Sequence, residues 1–589
     1  MMSSCSEEEV AELGTIIYGE RMKAGDDEPK EDKTPEEIKE EEGKETVESK
    51  MKVESKQGDI EGETGQGKDE KESPKDSKDA TSVSKLSQSK QSTKATAIEG
   101  DFTQPLVFAI ISVTLGSFQF GYHIGCVNAP GAIITDWIIT SHKELFNVTL
   151  DKPTADLTWS SIVAVFGVGG AIGGLLSAFL ADRCGRRGGL LYTNVFAFLA
   201  AVLMGGTKII GVYWTLLLGR LFIGIYAGLT VLIPMYLTEV PPTNLRGMIA
   251  SLHQLLITIG ILVSQVGISF NESYSMRIVT VTFQIFGLPY IFGTQERWPF
   301  IFGFTAIPAL LQVMTLPIIP ESPRFTLCVK GNIAQGTKDL ERLRGTANVT
   351  AEVDMMREEA NAGKGTLAAD ERLSLADMFR GNLRWPMTIA MLLMVCQQLS
   401  GINAVMFYST VIFKQAGLSE QGAVYATIGV GVVNVLMTII SVWLVDHPSA
   451  GRRTLLLWGM VGMWISTLLL VVCISMSMKG ALWASYGAIV FIMLFVISFA
   501  AGAGSIPWFF VSEIFFSNAR ANANSIATLT NWLSNVVVGL TFLPINNIIH
   551  QYSFLVFTVL LTLFIVFIFK YIPETKGKTT EQIVAELHK

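Results

Sequence analysis

The run MVCQQLSGINAVMFYST, residues 394–410, is apolar enough to cross a membrane, yet it holds Gln397, Gln398, Ser400 and Asn403. A carboxamide is donor and acceptor at once and carries no charge. Unpaired in an apolar medium it is costly, so each amide needs another helix, water or a substrate. On a straight helix, at ~100° per residue, Gln397, Gln398 and Asn403 spread over about 220° and cannot all face one cavity. Ser400-Gly401 lies between them, and such a pair is a place where helices kink. The spacing predicts a broken helix whose bend turns the amides toward a common centre. Interhelical glue is the alternative for a lone glutamine. It fits this cluster less well.

The elements that position these amides follow from hydropathy. The chain is 49 % hydrophobic with a mean hydropathy of +0.41, too apolar for an ordinary soluble protein of 589 residues. The excess sits after residue 100. Residues 1–100 contain one aromatic, Tyr18, and are dense in Glu, Lys, Asp and Ser. Such a segment buries too little apolar area to offset its ordering entropy, so it reads as a disordered tail. The first twenty residues are acidic and do not resemble a secretory signal. Beyond the tail, twelve apolar runs have spanning length: 105–127, 158–181, 189–207, 212–237, 247–270, 298–319, 386–413, 421–445, 454–478, 482–511, 521–549 and 552–570. They lack the charged face of soluble amphipathic helices. The expected fold is an all-α membrane protein of twelve transmembrane helices. Cys5, Cys126, Cys184, Cys328, Cys396 and Cys473 are scattered and read as buried single thiols.

Orientation comes from basic residues. With the N-terminus in the cytoplasm, Arg183, Arg186, Arg187, Arg246, Arg452, Arg453 and Arg520 lie inside against span ends. The long 320–385 loop adds more, but long loops translocate regardless of charge. Outside that loop the basic residues are level at seven on each side, so the arginines tucked against span ends decide. This topology puts the sequon at Asn147 in the first external loop, where a glycan is expected. Asn271 heads a second external sequon close to a span. Asn348 heads a cytoplasmic one, expected to be unmodified.

The chain also repeats. DRCGRR (182–187) follows the second span and DHPSAGRR (446–453) the eighth. EVPPTNLR (239–246) follows the fourth and EIFFSNAR (513–520) the tenth. PESPR (320–324) closes the sixth and PETKG (573–577) the twelfth. Three related pairs, each six spans apart, imply two parallel six-helix halves. That architecture implies a transporter with its site at the midplane between them. The domains are then a tail (1–100), a first half (101–319), a cytoplasmic linker with short helices (320–385), a second half (386–572) and a C-terminal tail (573–589). Glu239, Arg246, Glu513 and Arg520, with Arg186, Arg187, Arg452 and Arg453, can serve as topology anchors or as a gate. Carboxylate–guanidinium pairs are geometrically specific. At a wet surface they are also weak enough individually to open.

The set GRR, PESPR, QQLSGINAVMFYST, GRR, IPWF, NWLSN and PETKG resembles the sugar-porter family of the major facilitator superfamily, and more narrowly the animal class I facilitative glucose transporters. The resemblance covers roughly residues 101–578. It implies that a small neutral hexose, glucose first, is carried across the plasma membrane. The hydroxyls of a hexose each donate and accept, which suits Gln397, Gln398 and Asn403. The resemblance adds Gln254, Asn434, Phe499, Trp508, Asn531, Trp532 and Asn535 as sugar contacts, most of them in the second half. It makes Phe407 and Tyr408 the aromatics that close the external gate. Departures accompany the match. Ala500 stands where relatives carry glutamate, and Ala503 and Ser505 where they carry proline, so the tenth span is expected to bend less. His123 occupies a first-span position held by Asn or Asp. The loop at 446–453 is two residues longer than usual, which puts the reach of Asp446 in doubt.

The charges inside the spans bear on mechanism. Arg220 is the one charged residue deep in a span, and His123 and His253 are the deep imidazoles; no Asp or Glu is deep in any span. Proton coupling calls for a titratable group near the substrate. Passive uniport is therefore the first expectation. Symport through His123 and a non-transporting sugar sensor are the alternatives. There is no nucleophile–base pair, metal cluster or phosphate loop, so the chain is not read as an enzyme. No cofactor, metal or nucleic acid is expected.

Overall fold

The computed structural model describes residues 100–269, 296–365 and 374–587, apart from positions 129, 243, 448, 449, 516, 577 and 579. The expected tail, all but its last residue, and the sequon at Asn271 lie outside the described residues. Among the described residues every regular element is a helix. The first half comprises α1 (Gln104–Gly125), α2 (Gly131–Phe146), α3 (Lys152–Gly205), α4 (Trp214–Leu229), α5 (Leu232–Glu239), α6 (Arg246–Ser269), α7 (Pro299–Gly303) and α8 (Ala306–Thr315). The linker carries α9 (Ile333–Arg344) and α10 (Thr350–Gly365). The second half comprises α11 (Arg384–Leu399), α12 (Ile402–Gln415), α13 (Glu420–Asp446), α14 (Arg452–Ser477), α15 (Leu482–Ala501), α16 (Ile506–Ile514), α17 (Ser517–Ile549) and α18 (Ser553–Tyr571), followed by α19 (Thr580–Leu587).

Among the described residues nine helical runs are long and apolar enough to cross a membrane, and Pro299–Thr315 is a shorter apolar run. Two of the nine, Lys152–Gly205 and Asn522–Tyr571, each contain two expected spans, so these runs account for all twelve. Within α3 the turn between spans two and three falls at Gly185 (φ 80°, ψ −175°). Four other spans are each built from two helices: the fourth from α4 and α5, the sixth from α7 and α8, the seventh from α11 and α12, the tenth from α15 and α16.

Between lipid-immersed helices the hydrophobic effect supplies little drive, so close backbone contact must hold them. The α3–α4 crossing shows how. A Cβ on Gly169 would stand 2.2 Å from the Leu221 carbonyl oxygen, and one on Gly173 2.2 Å from that of Ile225. From the other side, Gly224 meets the Phe166 carbonyl and Gly228 that of Gly170, each also at 2.2 Å. The halves join where α3 packs on α17 and α6 on α13. The linker is pinned to the first half. Thr103 Oγ1 donates to the Leu343 carbonyl (2.6 Å), and Arg344 donates to the Val240 carbonyl (3.0 Å) while forking onto Glu352.

The α3–α4 contact yields a prediction. Gly228→Ala drives a methyl into backbone that has no side-chain freedom to yield, and overpacking of this kind costs about 1–3 kcal/mol. The melting temperature of the purified protein in detergent should fall. Gly247→Ala, whose Cβ meets nothing within 4 Å, should leave it unchanged. Equal melting temperatures for the two variants would refute the close-packing account.

Candidate functional site

The seventh span breaks at the expected pair. Helix α11 ends at Leu399, and Gly401 adopts φ 98°, a left-handed value that glycine takes without strain. A Cβ there would also stand 2.8 Å from the Phe557 ring. The break gathers amides from three helices, α11, α12 and α17. Gln398 Nε2 donates to Asn531 Oδ1 (3.0 Å), and Gln398 Oε1 accepts from Asn535 Nδ2 (3.3 Å) and from Asn403 Nδ2. Asn531 Nδ2 donates to Gln397 Oε1 at 2.6 Å. Gln397, Asn403, Asn531 and Asn535 are buried, and Gln398 is half-buried. Five uncharged amides are thus linked through side-chain hydrogen bonds.

The tenth span breaks as well, although Ala503 and Ser505 stand where a proline was expected. Helix α15 stops at Ala501, Gly502 leaves helical geometry (φ −122°, ψ −79°), and α16 starts at Ile506. Gln397 Nε2 donates to the carbonyls of Ala503 and Gly504, both at 2.8 Å. The span thus breaks without prolines at 503 and 505. Phe499 and Trp508 flank this break, the first half-buried and the second exposed.

Other expected contacts lie apart from the amide ring. Trp532 packs into the joint between halves, its ring centroid 5.8 Å from Phe120 and 5.7 Å from Phe166. Asn434 is buried on α13, and Gln254 is exposed on α6. Phe407 and Tyr408 are buried with their rings edge to face at 6.3 Å. The Tyr408 hydroxyl donates to the Gly539 carbonyl (3.1 Å). Asn128 was not anticipated. Its Nδ2 donates to the Met406 carbonyl (2.9 Å) and to Ser409 Oγ (2.6 Å), and its Oδ1 accepts from the Thr410 amide (3.2 Å). That bond set ties the first half to α12. A lone asparagine just beyond the first apolar run is the signal that marks it.

The first half has its own polar interior. Arg220 is fully buried, donates to the His123 carbonyl (2.9 Å), and holds its guanidinium 4.5 Å from the Phe166 ring centre. His123 Nε2 bonds Thr305 Oγ1, and Gln119 Nε2 donates to the Thr305 carbonyl (2.9 Å). His253 Nδ1 bonds Ser117 Oγ at 2.8 Å. Each of these partners belongs to the first half.

At the arginine end the repeated charges pair within halves. Arg186 bonds Glu239 at 2.8 Å, and Arg452 bonds Glu513 at 2.5 Å. Glu321 accepts the backbone amides of Arg186 and Arg187, each at 3.0 Å. Glu574 accepts those of Arg452 (2.8 Å) and Arg453 (3.2 Å). The Arg187 side chain donates to the Ile319 carbonyl and that of Arg453 to the Phe569 carbonyl. Arg246 is half-buried, and Arg520 is exposed with a bond to the Phe515 carbonyl. The side chain of Asp446 lies outside the described residues. At the opposite end Asn547 Nδ2 donates across the halves to Asp156 (2.9 Å). Asn147 is exposed there as the left-handed cap (φ 55°) of α2.

The comparisons agree with this architecture. A family model described as "Sugar (and other) transporter" matches residues 109–587. "Facilitated glucose transporter protein 1" of Caenorhabditis elegans is 55 % identical over 493 residues, covering 83 % of this chain and 92 % of the relative. "Solute carrier family 2, facilitated glucose transporter member 1" of Gallus gallus is 41 % identical over 483 residues, covering 82 % and 92 %. Among solved structures, the partially occluded inward-open conformation of the xylose transporter XylE from E. coli superposes with a TM-score of 0.65 at 26 % identity, covering 81 % of this chain and 100 % of that one. The proton:xylose symporter XylE bound to 6-bromo-6-deoxy-D-glucose gives a TM-score of 0.64 at 26 % identity, covering 82 % and 99 %. With two six-helix halves around a ring of uncharged amides, and a family match spanning most of its length, the chain belongs to the sugar transporter family of the major facilitator superfamily and is a multi-pass membrane transporter rather than an enzyme.

Proposed function

We propose that the protein carries a neutral hexose, D-glucose first, down its gradient across the plasma membrane by alternating access. The observation that supports this most is the amide ring of Gln398, Asn403, Asn531 and Asn535, which offers donors and acceptors without charge. Gln254, Asn434, Phe499, Trp508 and Trp532 complete the proposed sugar-contacting set as the halves rock. Relatives named facilitated glucose transporters support the choice of substrate. Both termini, the 1–100 and 573–589 tails and the 320–385 linker are placed in the cytoplasm. The halves are 101–319 and 386–572, and Asn147 is placed outside as the glycan acceptor. Phe407 and Tyr408 close the external side. Arg186, Arg187, Glu239 and Arg246, with Arg452, Arg453, Glu513 and Arg520, brace the cytoplasmic side in the outward-facing state.

A second reading, proton-coupled symport, is favoured by two observations: His123 is a fully buried imidazole, and the chain shares its fold with a protein named a proton:xylose symporter. The described partners of His123 are Thr305, Cys126 and Arg220, none of them a carboxylate. Uniport is therefore preferred.

Gln398→Leu removes a donor and an acceptor and leaves sugar hydroxyls and its amide partners unpaired, at about 1–3 kcal/mol. Hexose uptake should fall on the order of tenfold or more while surface delivery is unchanged. Wild-type uptake kinetics would remove Gln398 from the site. Glu513→Gln deletes the Arg452 ion pair, and a pair made in one state biases the populations toward that state. Labelling of engineered cysteines from the cytoplasmic side should rise; unchanged labelling would reduce these charges to topology anchors. In proteoliposomes with an imposed pH gradient, internal sugar should level off at the external concentration. Accumulation above it, abolished by a protonophore, would replace uniport with symport through His123.

A further inference from the structure

We propose that Arg220 is a positioning residue for the sugar site: from the first half it fixes the seat in which Trp532 of the second half rests. The inference rests on the proposed hexose transport, which makes Trp532 a sugar contact. A guanidinium wholly buried inside a span is costly, and among the described residues Arg220 has no ion pair to a carboxylate. Its edge donates to the His123 carbonyl (2.9 Å) and the Val163 carbonyl (3.5 Å), which ties α4 to α1 and α3. Its flat face lies over the Phe166 ring, 4.5 Å from the ring centre.

Arg220, Gly224 and Gly228 recur at every fourth position of α4 and so share one face. That face backs the part of α3 that receives Trp532. Arg220 covers the Phe166 ring. A Cβ on Gly224 would strike the Phe166 carbonyl, and one on Gly228 the Gly170 carbonyl. The same two α3 residues meet Trp532 across the joint between the halves. The Phe166 and Trp532 rings stand edge to face, 5.7 Å apart and 76° between planes. A Cβ on Gly170 would collide with the six-membered ring of Trp532. Phe120 closes the seat, its ring centre 5.8 Å from that of Trp532. Phe166 therefore has a cation on its face and an indole at its side. Aromatic pairs depend on ring tilt, and the guanidinium that holds the tilt of Phe166 thereby holds Trp532. Seating Trp532 also sets the rotation of α17, which carries Asn531 and Asn535.

Fluorotryptophan incorporated into the full-length protein reads the seat by fluorine NMR, with the Trp532 resonance assigned by its absence from Trp532→Phe. Arg220→Met keeps an unbranched side chain and removes the flat cation. It should shift the Trp532 resonance and leave in place that of Trp458, which is exposed on α14. Phe166→Leu keeps Arg220 and removes the ring between the two. It should shift the Trp532 resonance as well, and adding Arg220→Met should then move it little further. Gly170→Ala fills the seat directly and should displace the same resonance. The KM of glucose uptake should rise roughly threefold or more in Arg220→Met, and by less than about half that factor where Trp532 is already Phe. A Trp532 resonance left in place by Arg220→Met would overturn the proposal. So would an equal shift at Trp458, which would make Arg220 a residue of the general fold, or full-sized independent KM losses from Arg220→Met and Trp532→Phe. If Arg220→Met does not fold, Phe166→Leu and Gly170→Ala decide, and an unmoved Trp532 resonance in both overturns the seat. Glucose should itself move the wild-type Trp532 resonance. A wild-type protein that takes up no hexose would sink the transport reading, and the sugar-free spectra of the variants would still decide the seat.

Discussion

Everything about this site depends on a rule of the membrane interior: a polar group without a partner there is too costly to keep. The rule turns broken helices into binding sites. A continuous span satisfies its own backbone and offers a substrate nothing. Breaking span ten exposes the Ala503 and Gly504 carbonyls, and Gln397 on the neighbouring α11 donates to both. Gln397 bonds the backbone of the tenth-span break, and Asn531 bonds both Gln397 and Gln398. Gln398, Asn403 and Asn535 are held by bonds between side chains, which a hydroxylated ligand can replace one for one.

The halves are alike in topology and unlike in what they bury. The second half concentrates exchangeable amides. The first buries a fixed polar core in which Arg220 faces carbonyls and the Phe166 ring. A buried guanidinium without a carboxylate stays only where carbonyl dipoles and a ring face replace its hydration. The glycine-lined α3–α4 crossing makes the same half dense.

The repeated motifs at the arginine end share one physical device. Glu321 and Glu574 each sit on the first amides after a tight turn, where a carboxylate meets both free N–H groups and the positive end of a helix. Beyond that the halves diverge. Ser322 Oγ donates to Glu239 Oε2 at 2.5 Å. The matching Thr575 hydroxyl and Glu513 Oε2 are buried and, among the described residues, have no hydrogen-bond partner. Lys576 instead collects the carbonyls of Val445, His447 and Ala450 (3.2, 2.6 and 2.9 Å) at the end of α13, where the first half has Pro323. One hydroxyl–carboxylate bond is thus made in the first half and open in the second.

The spans, their pairing into halves and the break at Ser400-Gly401 are legible in the sequence because each is local. Apolar length marks a span, repeat spacing marks a half, and a Ser-Gly pair inside an apolar run marks a kink. The break in the tenth span is not legible from positions 503 and 505, because it falls at Gly502–Ser505 without proline at either of them. Which amide bonds other side chains and which bonds backbone is invisible in one dimension. Gln397 and Gln398 are neighbours of identical chemistry, and only the approach of α15–α16 and α17 assigns them different partners. Asn128 likewise gains its role from α12, which follows it by about 280 residues. The charge motifs announce that arginine and glutamate meet, but not that Arg186 finds Glu239 and Arg452 finds Glu513 inside the same half. Partner choice is set by distances between helices, and those distances exist only once the chain has folded.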